Sequence, residues 1–163
     1  FASDNFSLWP SFLPTFLIML SVMGACAGST GGGMKAMRIL LIFRQGRREL
    51  KQLLHPNAVI PLKLDHRRVR PEVVSAVWSF FAVYMFSAFI LVLCMLATGL
   101  DFLSATSAVT AAINNLGPGL GSVSANYASV TDPGKVILCV AMLLGRLEIF
   151  TLLILFTPTF WRP

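Results

Sequence analysis

Apolar residues in this chain gather into long uncharged runs instead of the alternating or one-faced patterns of a soluble fold. After a polar start, Phe1 to Ser7, which is expected to face an outer aqueous side, no charge occurs from Leu8 to Cys26. Trp9 heads that run as an interfacial anchor. Pro10 suits a first helical turn, and Pro14 either kinks the helix or marks its true start. Val73 to Thr98 is again uncharged, rich in aromatics from Trp78 to Phe89, and long enough to cross a membrane with some tilt. Phe102 to Asn114 is also apolar, but as a helix it covers only about 20 Å, short of a hydrocarbon core of about 30 Å. It is expected to enter part-way and stop, with Asp101 as its N-cap. Gly121 to Asp132 is polar and returns outside, and Pro133 opens a last span that runs to about Phe160.

Two glycine-rich breaks interrupt these runs. The first is Thr110-Ala-Ala-Ile-Asn-Asn-Leu-Gly-Pro-Gly-Leu-Gly121. Irregular backbone at membrane depth survives only where it is buried in protein or lines a watery cavity, so this stretch reads as a re-entrant pore loop. A cation leaving water needs replacement oxygens, and backbone carbonyls supply them without the full negative charge that would trap it. Gly117, Gly119 and Gly121 permit the backbone angles this requires, and a short helix ending at Asn114-Asn115 aims its partial negative end at the site. A plain outer turn built on Gly-Pro-Gly is the alternative. The apolar half-helix ahead of it favours the pore loop, because an outer turn has no need of one.

The second break is Gly24-Ala-Cys-Ala-Gly28-Ser-Thr-Gly31-Gly32-Gly33-Met34-Lys35. It is not a phosphate loop, since Met34 separates Gly33 from Lys35 and Ala36 follows. Small-residue helix packing through Gly24-x-x-x-Gly28 and a simple juxtamembrane linker are two readings. A broken-helix segment lining an ion path fits best, because four of the six residues Gly28, Ser29, Thr30, Gly31, Gly32 and Gly33 are glycine and the other two carry hydroxyls.

Composition agrees with membrane residence: 56% of the 163 residues are hydrophobic, 12% are charged, and the mean hydropathy is +0.76. The net charge of +6 does not point to nucleic acid, because ten of the thirteen Lys and Arg fall between Lys35 and Arg70. That is one loop between spans, as the positive-inside rule expects of a cytoplasmic connection; binding of anionic lipid headgroups is a second, less specific reading. A short amphipathic helix fits Arg48 to Leu54. Cys26, Cys94 and Cys139 lie in apolar surroundings without metal-ligand spacing and read as small packing residues; His55 and His66 sit solvated in the basic loop. The start at Phe1 without methionine reads as a fragment of a longer protein. Arg146 lies eleven residues after Lys135 and fifteen before Trp161, about 16 and 22 Å along a helix, beyond comfortable reach of either interface. It should face protein or a cavity, and at two residues' separation it does not pair with Glu148. An arginine held by backbone carbonyls at a helix break and one bonding the Gly28–Gly33 loop or repelling cations are compatible readings.

In these motifs the chain resembles the Trk/Ktr/HKT potassium transporters, and within them the bacterial TrkH-like subunits. The resemblance rests on Gly28-Ser-Thr-Gly-Gly-Gly-Met-Lys35, on Asn114-Asn-Leu-Gly-Pro-Gly-Leu-Gly121, and on Gly145-Arg-Leu-Glu-Ile-Phe-Thr151 followed by Phe156-Thr-Pro-Thr-Phe-Trp161. It implies an all-α integral membrane fold of helix–pore-loop–helix repeats, present in part. Residues 1–44 would be the second helix of a third repeat with its intramembrane glycine loop at 24–34, and 45–72 a basic cytoplasmic loop. Residues 73–163 would be the fourth repeat: helix 73–100, pore helix and filter 101–121, outer loop 122–134 and helix 135–163. The resemblance further implies potassium ligation by the carbonyls of Asn115, Leu116 and Gly117, supported by Asn114, Pro118 and Gly119. It implies a gating loop at Gly28 to Gly33, a pore-facing Arg146, a homodimer in the bacterial inner membrane, and a cytosolic nucleotide-binding partner of the TrkA type. No organic cofactor is expected. Asn-Leu-Gly-Pro replaces a threonine-rich filter, which implies a weaker or asymmetric contribution, and one loop alone cannot encircle an ion. The competing reading is a cation-coupled carrier with alternating access. Amides, hydroxyls and backbone at the breaks, without acidic substrate ligands, favour a permeating cation. An enzyme has no support, because the spans hold no acid pair, Ser/His pair or metal cluster.

Overall fold

The computed structural model describes residues 9–147 apart from 11, 25, 27–30, 57, 59, 65 and 66. The described chain is mostly helical: α1 (Phe12–Met23), α2 (Ala36–Leu54), α3 (Pro71–Ala97), α4 (Phe102–Ile113) and α5 (Asp132–Arg146). A 3-10 turn occupies Gly121–Val123. The exception to the all-helical expectation is a small antiparallel ladder, β1 (Lys63–Leu64) with β2 (Arg67–Arg68), in the register Lys63↔Arg68 and Leu64↔Arg67.

Among the described helices, α3 is the one long and apolar enough to cross a membrane, with 27 residues and a hydropathy of 2.5. At about 1.5 Å per residue it reaches about 40 Å. Pro71 opens it, where a missing N–H costs nothing, and Arg70 before the proline is extended. Thr98 closes it, its Oγ1 donating to the Met95 carbonyl at 2.6 Å. Only one stripe of α3 is buried, Val77, Phe80, Tyr84, Leu91 and Met95, while Phe86 and Phe89 stand exposed.

The core gathers round α4. It packs against α1, α3, α5 and the 3-10 turn, and Ser104, Ala105, Ser107, Ala108, Val109, Ala111, Ala112 and Ile113 are all buried. Small side chains on every side of a helix let its neighbours approach closely. Asp101 caps α4 as its sequence position suggests, Oδ2 accepting from the Ser104 N–H at 3.1 Å. Hydrogen bonding from the Ser104 side chain, and then from its N–H, holds the exposed Asp101 carboxyl below its ordinary range. α5 turns Gly134, Leu138 and Ala141 inward, and Gly145, four residues on, continues that face.

Several details differ from the sequence reading. α1 runs from Phe12 with Pro14 in its first turn, close to the start that Pro14 suggests, and Leu8 lies outside the described residues. α2 is one helix through Leu54, so the short helix expected at Arg48 to Leu54 is the end of a longer one and the connection begins at His55, not Gln45. Arg, Lys, Gln, Glu and Leu all favour helix there, and the chain breaks only at His55, whose following proline disfavours the α conformation. The three cysteines are exposed and unpaired, not packing residues. The polar return from Gly121 to Asp132 also buries Val123 and Val130. Glu148, Trp161 and the remainder of the last span lie outside the described residues.

Candidate functional site

α4 ends in a Schellman arrangement. Asn115 adopts the left-handed region, with φ 53°, and donates to the Ala112 carbonyl at 3.1 Å, while the Leu116 N–H reaches back to Ala111 at 2.9 Å. The carbonyls of Ala111 and Ala112 are thereby satisfied, and the chain turns sharply into Asn115-Leu116-Gly117. Among the described residues no donor bonds the carbonyls of Asn115 or Leu116. The Gly117 carbonyl accepts from the Tyr127 hydroxyl at 2.7 Å, which leaves it one lone pair. Desolvation raises the Tyr127 phenol above its ordinary pKa and keeps it a donor. Leu116, Gly117, Pro118 and Tyr127 border an open cavity of about 500 Å³.

Two buried serines of α4 hold the strand that follows. Ser107 Oγ accepts from the Leu120 N–H at 2.8 Å, and Ser104 Oγ accepts from the Ser122 N–H at 2.9 Å. A Cβ at Gly119 would stand 2.6 Å from Val123, so this segment lies flush on its own return loop.

Asn114 is the junction below the turn. Its Oδ1 accepts from the Tyr84 hydroxyl of α3 at 2.9 Å, and its Nδ2 donates to Ser21 Oγ of α1 at 3.4 Å. Residues 31–33 press against the same junction. A Cβ at Gly32 would lie 2.7 Å from the Asn114 carbonyl carbon and from Asn115 Nδ2, and one at Gly33 would lie 2.9 Å from Asn114 Oδ1. Lys35 Nζ donates to the Gly31 carbonyl at 3.0 Å and pins the loop from its far side. From α5, Gly145 meets the Ile113 carbonyl so closely that a Cβ there would overlap it. Arg146, the last residue of α5, follows directly.

The structure thus brings together Asn114, Asn115, Gly32, Gly33 and the end of α5 that carries Arg146. Asn115, Leu116 and Gly117 are exposed at the tip, Pro118 is half-buried, and Gly119 is buried behind them. Gly28, Ser29 and Thr30 lie outside the described residues. Sequence reasoning missed Tyr84, Ser21, Ser104, Ser107 and Tyr127, and it named Gly145 only as the start of a family motif. Polar residues at i, i+3 inside an otherwise apolar half-helix signalled Ser104 and Ser107, and a glycine at the end of the Gly134, Leu138, Ala141 face signalled Gly145. Nothing local marked Tyr84 or Tyr127, whose partners lie 30 and 10 residues away. Among the described residues no group of His, Cys, Asp or Glu is arranged to hold a metal.

The family model for TrkH, described as a cation transport protein, matches residues 1–162. The chain is 53% identical to the Trk system potassium uptake protein TrkH of Salmonella typhimurium over 99% of its length and 34% of the relative's. It is 38% identical to the Trk system potassium uptake protein TrkG of Escherichia coli over 99% of its length and 33% of the relative's. The crystal structure of the potassium transporter TrkH from Vibrio parahaemolyticus matches with a TM-score of 0.91 at 55% identity, covering 99% of this chain and 35% of that one. The chain therefore spans about a third of the relatives it matches, which are named as uptake proteins and not as enzymes. It belongs to the TrkH family of cation transport proteins.

Proposed function

We propose that this chain builds one side of a potassium-selective pore in a membrane uptake system. In this reading α3 spans the bilayer, α4 is a pore helix that enters part-way, and the carbonyls of Asn115, Leu116 and Gly117 face the permeating ion. The observation that carries the reading is the end of α4. A helix of 12 residues, about 18 Å long, stops inside the fold in a Schellman cap, and the next three residues, Asn115, Leu116 and Gly117, are exposed just beyond its negative end. Potassium is the proposed substrate because the relatives are named for its uptake.

The Gly28–Gly33 loop is the gate of this account. Its described part lies against Asn114 and Asn115, so a shift of the loop changes the space at the base of the filter. Arg146 follows Gly145, which packs on Ile113 beside Asn114, and in this reading it holds the loop closed. Further carbonyls must come from other parts of the pore, since one turn cannot surround an ion. The reading extends to a homodimer in the bacterial inner membrane with a nucleotide-binding TrkA-type partner on the basic face. Arg146→Ala in the full-length protein is expected to raise rubidium flux several-fold with selectivity unchanged. Flux that stays level or falls would remove Arg146 from the gate.

A further inference from the structure

The strongest charge concentration lies away from the filter, where α2, the β1–β2 ladder and the start of α3 meet. Arg44, Arg47, Arg48 and Lys51 are spaced i, i+3, i+4 and i+7, which puts them on one face of α2. With Lys63 of β1 they line a cavity of about 210 Å³ that has no acidic residue in its described wall. The ladder is fixed over this face by Arg44, whose Nη1 donates to the Lys63 carbonyl at 2.6 Å. The nearest acid on α2, Glu49, is taken by the amide of Gln45.

Arg48 separates this cavity from a second one of about 380 Å³, and belongs to both. Its Nη1 is spent on Gln45 Oε1 at 3.4 Å, while its Nε is buried and bonds nothing among the described residues. A buried guanidinium N–H without an acceptor costs stability, and an oxyanion is the acceptor that a guanidinium fits best. The second cavity is lined by Arg48 and Arg68 together with Leu62, Val74 and Trp78. Trp78 is half exposed, and Met85 and Phe89 continue its side of α3 as an exposed apolar stripe. A charged cradle that opens onto an apolar stripe has the layout of a phospholipid, headgroup first and acyl chain after.

We propose that this pair of cavities binds the phosphate of an anionic phospholipid, with its chain laid along Trp78, Met85 and Phe89. The proposal rests on the reading that α3 spans the membrane. The shared chemistry is a phosphate oxyanion, and the continuity of the stripe with the cradle selects a lipid over a free anion or an acidic protein surface.

The test is tryptophan quenching in the full-length protein, reconstituted into phosphatidylcholine vesicles doped with brominated phosphatidylglycerol or with brominated phosphatidylcholine. The signal from Trp78 is isolated by subtraction of Trp78→Phe. Brominated phosphatidylglycerol is expected to quench Trp78 more strongly at equal dose, and Arg48→Gln to cut that preference about five-fold, the worth of one basic residue at an anionic surface. Arg47→Gln with Lys51→Gln, both at exposed positions, gives the same direction if Arg48→Gln does not fold. Equal quenching by the two lipids overturns the site while leaving α3 in the bilayer. No quenching by either overturns the spanning reading itself. Loss of the preference on adding inorganic phosphate assigns the cradle to a free anion and overturns the lipid.

Discussion

Gly145→Val is expected to leave little folded protein, and Gly145→Ala to lower Tm sharply. At this position a Cβ would overlap the carbonyl oxygen of Ile113, with the Ile113 carbonyl carbon and Cα also within contact. The obstacle is backbone, which cannot swing aside as a side chain does. That backbone belongs to α4, which is buried on nearly every side. Overpacking a filled interior typically costs about 1–3 kcal/mol and sometimes more, and a backbone clash at the centre of the fold belongs at the upper end. Gly46→Ala is the matched control, because a Cβ at Gly46 meets nothing within 4 Å. Thermal unfolding in detergent separates the two: Gly46→Ala should hold or slightly raise Tm, as alanine favours helix over glycine. A Gly145→Ala protein with wild-type Tm would show that α5 does not rest on α4 as described.

Gly117→Ala is expected to do the opposite, keeping the fold and losing selectivity. Here too a Cβ meets nothing within 4 Å, so there is room for a methyl group. The constraint is the backbone, whose φ of 103° is a conformation that L residues rarely adopt. Holding alanine there costs about 1–3 kcal/mol, and the strain is relieved by rotating the peptide. Rotation turns the Gly117 carbonyl off the Tyr127 hydroxyl and out of its present direction. If that carbonyl meets the ion, K⁺/Na⁺ discrimination should fall by about ten-fold, the worth of some 1.4 kcal/mol from within that strain. The paired measurement is Tm with relative rubidium and sodium flux. Wild-type discrimination at unchanged Tm would remove Gly117 from the filter.

The two glycines show what the sequence could and could not disclose. The short helix, its Asp101 cap and its stop before Gly117 were legible, because a run too short to span, an acidic N-cap and a Gly-Pro-Gly break are all local signals. The long α3 was legible for the same reason. The close seating of Gly32 on Asn114 and of Gly145 on Ile113 was not, since each joins residues more than 30 positions apart and depends on how the helices pack. Asn114 was picked out as filter support through the family resemblance. Its partners Tyr84 and Ser21, one in each of two other helices, became visible only in three dimensions. The basic segment was legible as charge, and in form only as a short helix at Arg48 to Leu54. Its helix through Leu54 and the ladder that closes over Arg44 turn a charge run into a cavity.

The central claim is that a selective pore, not a carrier, is built around Asn115, Leu116 and Gly117. Rubidium uptake into proteoliposomes of the full-length protein, with sodium as competitor and no imposed sodium or proton gradient, tests it most directly. Fast uptake that saturates weakly and resists excess sodium is expected. Slow uptake that requires a sodium or proton gradient would contradict it, and would make residues 28–33 part of a substrate site in an alternating-access carrier.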